Sequence, residues 1–229
     1  MGFKEGFLWG CATAATQIEG AYAEGGRSLS IWDAPEVISG RIAHGETPHT
    51  ACDHYHRWRE DIGIMKRLGL NSYRFSVSWS RVVPRRGRIN AVGLGFYQDL
   101  VKELKCAGIT PIVTLYHWDL PLWAHQAGGW ENEQIAEWFA EYVRAVVEAL
   151  SADVQWWITF NEMQMFIGRG YVSGMYAPFQ KTEDPEKIAR LTRNVMLAHG
   201  GAVRVIRQGQ MDVGQVQNPN RLLQSEVQF

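Results

Sequence analysis

Hydrophobic residues recur along the chain in two alternating patterns. Over residues 134–150, Ile135, Trp138, Phe139, Tyr142, Val143, Val146, Val147 and Leu150 follow at three- and four-residue steps, the apolar stripe of an amphipathic helix. Residues 51–68 carry Tyr55, Trp58, Ile62, Met65 and Leu68 in the same way and stop at Gly69. A further helix is predicted over 94–105, with Leu100, Val101 and Leu104 on one side and Gly108 beyond its end, and another over 185–207 with Pro185 at its start. Between these helices lie short runs of aromatic, β-branched or small apolar residues. They predict strands at 7–15, 71–79, 110–118 and 154–162, with a possible fifth at 213–216.

Strand and helix in alternation make an α/β protein with a parallel sheet, either doubly wound or closed into a barrel. No GxGxxG follows the first strand, and polar residues gather at the C-terminal ends of four successive strands, where barrel sites are assembled. Both features favour a TIM-type (β/α)8 barrel. The repeat takes about 50 residues per unit, so a complete barrel needs about 400. Residues 1–229 therefore read as one partial barrel, the first four β/α units plus a possible fifth strand, without a linker or composition shift.

Composition narrows the function. Twenty-three Lys and Arg against 24 Asp and Glu give a net charge of −1, which lacks the basic surface that nucleic acid or an anionic membrane would require. The first ten residues have no apolar run of signal-peptide length and no stretch is long enough to span a bilayer, so a cytoplasmic location is expected. Cys11, Cys52 and Cys106 are odd in number and widely spaced, which argues against disulfides or a zinc site and predicts buried small apolar residues. Ten tryptophans are many for this length, and core packing is the expected use for most of them.

The four strand ends carry Gln17-Ile18-Glu19-Gly20, Arg74 within YRFSVSW, His117-Trp118-Asp119, and Asn161-Glu162. These residues stand inside a longer series: FLWGCATAATQIEG, SIWD, ACDHYHRWREDI, YRFSVSWSR, VTLYHWDLP, GGWEN, WITFNE and LAHG. In order and spacing the series resembles the glycoside hydrolase family one β-glucosidases and β-galactosidases over residues 7–207. The resemblance implies a TIM barrel and retaining cleavage of non-reducing-end β-linked sugars. It also implies that Glu162 is the general acid/base, Asn161 the partner of the sugar 2-hydroxyl, and Arg74 the cation beside the nucleophile. Gln17 and His117 match the family's ligands for glycone hydroxyls; Trp118 lies beside them, and Trp123 is a weaker candidate for a sugar or aglycone wall. The chemistry suits these residue types. A glycosidic oxygen leaves poorly unless an acid protonates it, and amide and imidazole groups can both donate to and accept from neutral hydroxyls. Trp32, Asp53, Asp61 and Asp119 lie in family motifs read as mainly structural. His54 and His56, two apart on a helix, point to different faces and make no metal pair. No cofactor and no metal are implied.

The chain departs from the family in one respect that bears on chemistry. Retention needs a second carboxylate about 5 Å from the first, and the ITENG-type motif that supplies it does not occur here. Glu226 is the only Glu close to the C-terminus and has no such context, and Met163 stands where the family usually has Pro. A half barrel also leaves two sheet edges unpaired. Three states are expected from this: pairing with itself, docking to a separate second half, or membership of a longer product. The expected partners are accordingly a β-glycoside substrate and a second half barrel or second copy, with a non-catalytic sugar-binding or structural half barrel as the alternative to a hydrolase.

Overall fold

The computed structural model describes residues 2–212. Strand β1 (Gly10–Ala12) leads to helices α1 (Ala15–Ile18), α2 (Pro35–Arg41) and α3 (His54–Arg67). Strand β2 (Ser72–Ser76) is followed by α4 (Trp79–Val82) and α5 (Ala91–Cys106), and β3 (Thr110–Thr114) by α6 (Leu122–Gln126) and α7 (Ile135–Leu150). Strand β4 (Trp156–Ile158) precedes α8 (Met163–Ile167) and α9 (Pro185–Asp212). The strands form one parallel sheet in the order β1-β2-β3-β4, with Ala12 opposite Arg74, Arg74 opposite Ile112, and Ile112 opposite Trp156. Each crossover is helical, as parallel pairing requires. These are the four expected β/α units; the fifth strand expected at 213–216, and Glu226, lie outside the described residues.

Local chemistry explains the boundaries. All eight residues of the α7 stripe are buried. Helices α3 and α5 both end on a glycine at positive φ, Gly69 and Gly108, with the Leu70 and Ile109 amides donating back to Met65 and Leu104 carbonyls. This 6→1 closure satisfies carbonyls that a helix end leaves open. Helix α5 starts where the Asn90 side chain accepts from the Val92 amide at 3.2 Å. In β1 a side chain at Gly10 would meet the Ser72 carbonyl oxygen at 2.6 Å, so only glycine lets β1 approach β2 this closely.

Between sheet and helices lies a core of aromatic rings. Trp79, Tyr116, Trp130, Phe139, Tyr142 and Phe160 are almost fully buried, and successive ring centroids lie 4.7–6.4 Å apart. Five of the ten tryptophans, Trp58, Trp79, Trp130, Trp138 and Trp157, are buried.

Several expectations need correction. The strands are shorter than their apolar runs because the ladder ends as each chain rises to the rim. Thr13, Val77 and Leu115 still donate to the neighbouring strand, after which Trp118 and Glu162 turn into left-handed backbone. Residues 7–9 do not belong to the strand; Phe7 and Trp9 are 43% and 49% exposed and cluster with Phe3 beside the β1 edge. Cys52 and Cys106 are exposed rather than buried, and Cys11 is half-buried, because each sits on an edge strand, a loop or an outward helix face. Among the described residues no helix is long and apolar enough to cross a membrane.

Candidate active site

The rim of the sheet brings Arg74, Asn161 and Glu162 into one hydrogen-bonded chain. From β2, Arg74 Nε donates to Thr114 Oγ1 at 3.0 Å and Nη2 donates to Asn161 Oδ1 at 2.5 Å. The amide oxygen is thereby turned to the cation, leaving Asn161 Nδ2 to donate to Glu162 Oε2 at 3.4 Å. Asn161 is held from behind by its own amide on the Tyr116 carbonyl, 2.9 Å, and by the Trp118 indole, which donates to the Asn161 carbonyl at 2.9 Å. Glu162 itself is exposed at the start of α8. Its φ is +44°, and that of Trp118 is +73°. Such conformations cost a non-glycine residue on the order of 1–3 kcal/mol, and they persist where surrounding contacts impose them.

Beside this chain lies a cavity of about 520 Å³, lined among others by Gln17, His117, Trp118, Trp32, Tyr176 and Glu46. Gln17 projects from α1, whose first amide is held by Ser76 Oγ at 2.8 Å. The Trp118 ring stacks on Tyr176 with centroids 5.8 Å apart, and the Trp32 indole donates to the Trp118 carbonyl at 3.0 Å. Burial, reinforced by the Arg74 cation, pushes the His117 imidazole down to about 4. It is therefore neutral near pH 7 and can give one hydrogen bond while taking another, which suits a sugar hydroxyl. Asp119, two residues on, is fully buried, and neither carboxylate oxygen has a hydrogen-bond partner in bonding geometry. Burial raises it to about 7, and the opposing pull of Arg27, its own backbone and Ser78 falls short of that penalty.

Six of the seven expected site residues are thus gathered: Arg74, Asn161 and Glu162 in the chain, Gln17 and His117 at the cavity, and Trp118 joining the two. Trp123 is not among the lining residues. Its indole donates to the Val83 carbonyl at 2.9 Å and its ring packs against Trp79 and Trp138, so it serves the core. Trp32, expected to be mainly structural, both braces Trp118 and lines the cavity. Tyr176 and Glu46 were not anticipated; they come from irregular segments with no periodic signal. His54 bonds Asp61 at 2.6 Å, whereas His56 bonds Asp53 and Glu24, so the two imidazoles serve different carboxylates.

Comparison with known proteins decides the family, since the model of glycosyl hydrolase family 1 matches residues 1–222. The chain belongs to glycosyl hydrolase family 1. It is similar to beta-glucosidase A of Thermotoga maritima, 45% identical over 207 residues that make up 90% of this chain and 46% of that protein. It is also 43% identical to a 1,4-beta-D-glucan glucohydrolase of Thermotoga neapolitana, over 90% of this chain and 48% of that one. Among solved structures, the Thermotoga maritima beta-glucosidase in complex with deoxynojirimycin superposes with a TM-score of 0.86 at 45% identity, covering 90% of this chain and 47% of that one. This family 1 chain spans about half the length of the relatives it matches. Its four-stranded sheet and helices form a partial α/β barrel of the family's (β/α)8 type.

Proposed function

We propose that this family 1 chain carries the acid/base half of a retaining β-glucosidase site acting on non-reducing-end β-D-glucosides. The observation that carries the reading is the Arg74–Asn161–Glu162 chain, in which a fixed cation orients the amide that in turn meets the carboxyl group. In the reaction Glu162 gives its proton to the glycosidic oxygen, which leaves as the alcohol while a second carboxylate bonds to the anomeric carbon. A water then yields a proton to Glu162 and displaces that carboxylate, releasing the sugar with its anomeric configuration retained. Asn161 meets the 2-hydroxyl, Gln17 and His117 hold hydroxyls at the far side of the glycone, and Trp118 gives an apolar face. Arg74 would stand next to the second carboxylate and keep it ionised. That carboxylate belongs to the part of the (β/α)8 barrel that residues 1–229 do not include.

The test is titration of the purified chain with deoxynojirimycin and gluconolactone, beside Gln17→Ala and His117→Ala. Binding weakened in both variants supports the reading, and no binding to the unmodified chain opposes it.

A second reading is a non-catalytic sugar-binding or structural half barrel that pairs with itself. It is favoured by β1 standing at the end of the strand order among the described residues and by the exposed apolar side chains beside it, Phe3, Phe7 and Trp9. Light scattering separates it from the first, because a stable monomer that binds sugar leaves no place for self-pairing.

A further inference from the structure

Gln17 stands on a helix of only four residues, Ala15–Ile18, too short to hold a side chain in place through its own hydrogen bonds. What fixes it lies immediately behind. Glu19 is 4% exposed and Arg81 is fully buried. Arg81 Nε donates to Glu19 Oε2 at 3.0 Å, Nη2 to the Gly20 carbonyl at 3.3 Å and Nη1 to the Glu24 carbonyl at 3.4 Å. The Tyr97 hydroxyl donates to Glu19 Oε1 at 2.5 Å and accepts from the Ser78 amide at 2.8 Å. The guanidinium carbon lies 4.2 Å from the centre of the Tyr55 ring, and the Tyr55 amide donates to the Glu19 carbonyl at 3.0 Å. Three residues thus tie the turn after β1 to α3, α4 and α5. Helix α5 reaches this position because residue 93 is glycine; a side chain there would meet the Arg81 carbonyl oxygen at 2.4 Å.

A buried ion pair is a poor source of stability, since well-packed apolar residues often serve as well or better. Its gain is in fixing one geometry. From this arrangement we infer that Glu19, Arg81 and Tyr97 are positioning residues for Gln17, presenting its amide to the sugar; the inference rests on Gln17 being a sugar ligand as proposed above. The pair lies two residues from the ligand side chain, and the other hydrogen bonds of the Arg81 guanidinium go to the Gly20 and Glu24 carbonyls of the same turn.

The experiment compares the unmodified chain with Tyr97→Phe, Glu19→Gln and Leu104→Ala, the last a core truncation at the opposite end of α5. Two quantities are read: amide hydrogen exchange at Ile18 and Glu19, whose N–H groups bond Ala14 and Ala15 carbonyls, and the Kd for deoxynojirimycin. Losing a hydrogen bond to a charged group should speed exchange at these amides and weaken binding, each by about tenfold, in Tyr97→Phe and more in Glu19→Gln. Leu104→Ala should change neither by more than about twofold under conditions where it is folded, since distant sites act independently. Should Glu19→Gln fail to fold, Tyr97→Phe, which keeps the ion pair, decides alone. Unchanged exchange at Ile18 and Glu19 in Tyr97→Phe, or an equal change in Leu104→Ala, overturns the inference. If the unmodified chain does not bind deoxynojirimycin, the functional reading fails while exchange still decides whether the three residues position the turn.

Discussion

On the back of the sheet, Leu100, Leu104, Phe139 and Tyr142 are almost wholly excluded from water, and each lies where a helical period places it. At the rim, Trp118 and Glu162 are held in left-handed backbone, His117 is kept neutral, and burial raises the Asp119 carboxyl to about 7. The first region follows helical period; the second holds backbone conformations and pKa values that an isolated chain would not adopt, imposed by Trp32, Arg74, Asn161 and the packing beneath. Left-handed backbone at Trp118 and Glu162 and the shifted pKa values of His117 and Asp119 together mark this end of the sheet as the candidate site.

The sharpest way to test that division is to damage one side and read the other. Leu104→Ala should lower stability by about 2–5 kcal/mol in urea unfolding, while leaving deoxynojirimycin affinity unchanged. A loss of affinity would mean that the core and the rim do not act separately.

The next effect is one of pH. Because Asp119 titrates at about 7 in the folded chain and at its ordinary value of 3.8 when unfolded, the folded state holds that proton more tightly. Stability is therefore full below about pH 4 and falls as the pH rises towards 7, by up to a few kcal/mol on the order of about 1.4 per pH unit. Asp119→Asn should remove this slope and make the protein more stable at pH 8, measured by unfolding across pH 4–8; an unchanged slope would show that Asp119 is not the strained group.

How much of this was legible in the sequence follows the same division. The α7 stripe and the glycine stops at 69 and 108 were readable because period and conformational freedom are local properties. Strand ends were not, because Val77, Leu115 and Phe160 continue the apolar run past the last residues of β2, β3 and β4. Motif membership located Arg74, Asn161 and Glu162 but not side-chain direction, so it did not show that the Trp32 ring lines the cavity while the Trp123 ring packs against Trp79 and Trp138. Tyr176 and Glu46 carry no periodic signal, and only folding brings their segments over the cavity.

Smaller effects refine the rim. With His117 titrating at about 4, glucose binding should be flat from pH 5 to 8 and decline only as the pH falls through 4, when the imidazole gains a proton and loses its acceptor; calorimetry at fixed ionic strength checks this. A midpoint near 6.5 would mean that the imidazole is neither buried nor influenced by Arg74. Least of all, Trp123→Phe should leave sugar affinity unchanged, whereas Trp32→Phe, which removes the bond to the Trp118 carbonyl, should weaken it by several-fold, a loss of about 1 kcal/mol.

The central claim is that Glu162 supplies the acid/base half of a site completed by a carboxylate from the rest of the (β/α)8 barrel. The direct measurement is hydrolysis of 4-nitrophenyl β-D-glucoside by the chain mixed with the C-terminal half of the Thermotoga maritima beta-glucosidase A, beside Glu162→Gln in the same mixture. The account predicts hydrolysis in the first mixture and a loss of about 10²–10⁴-fold in the second, the usual contribution of a general acid/base. Equal rates in the two mixtures, or no hydrolysis from an assembled one-to-one complex, would contradict it.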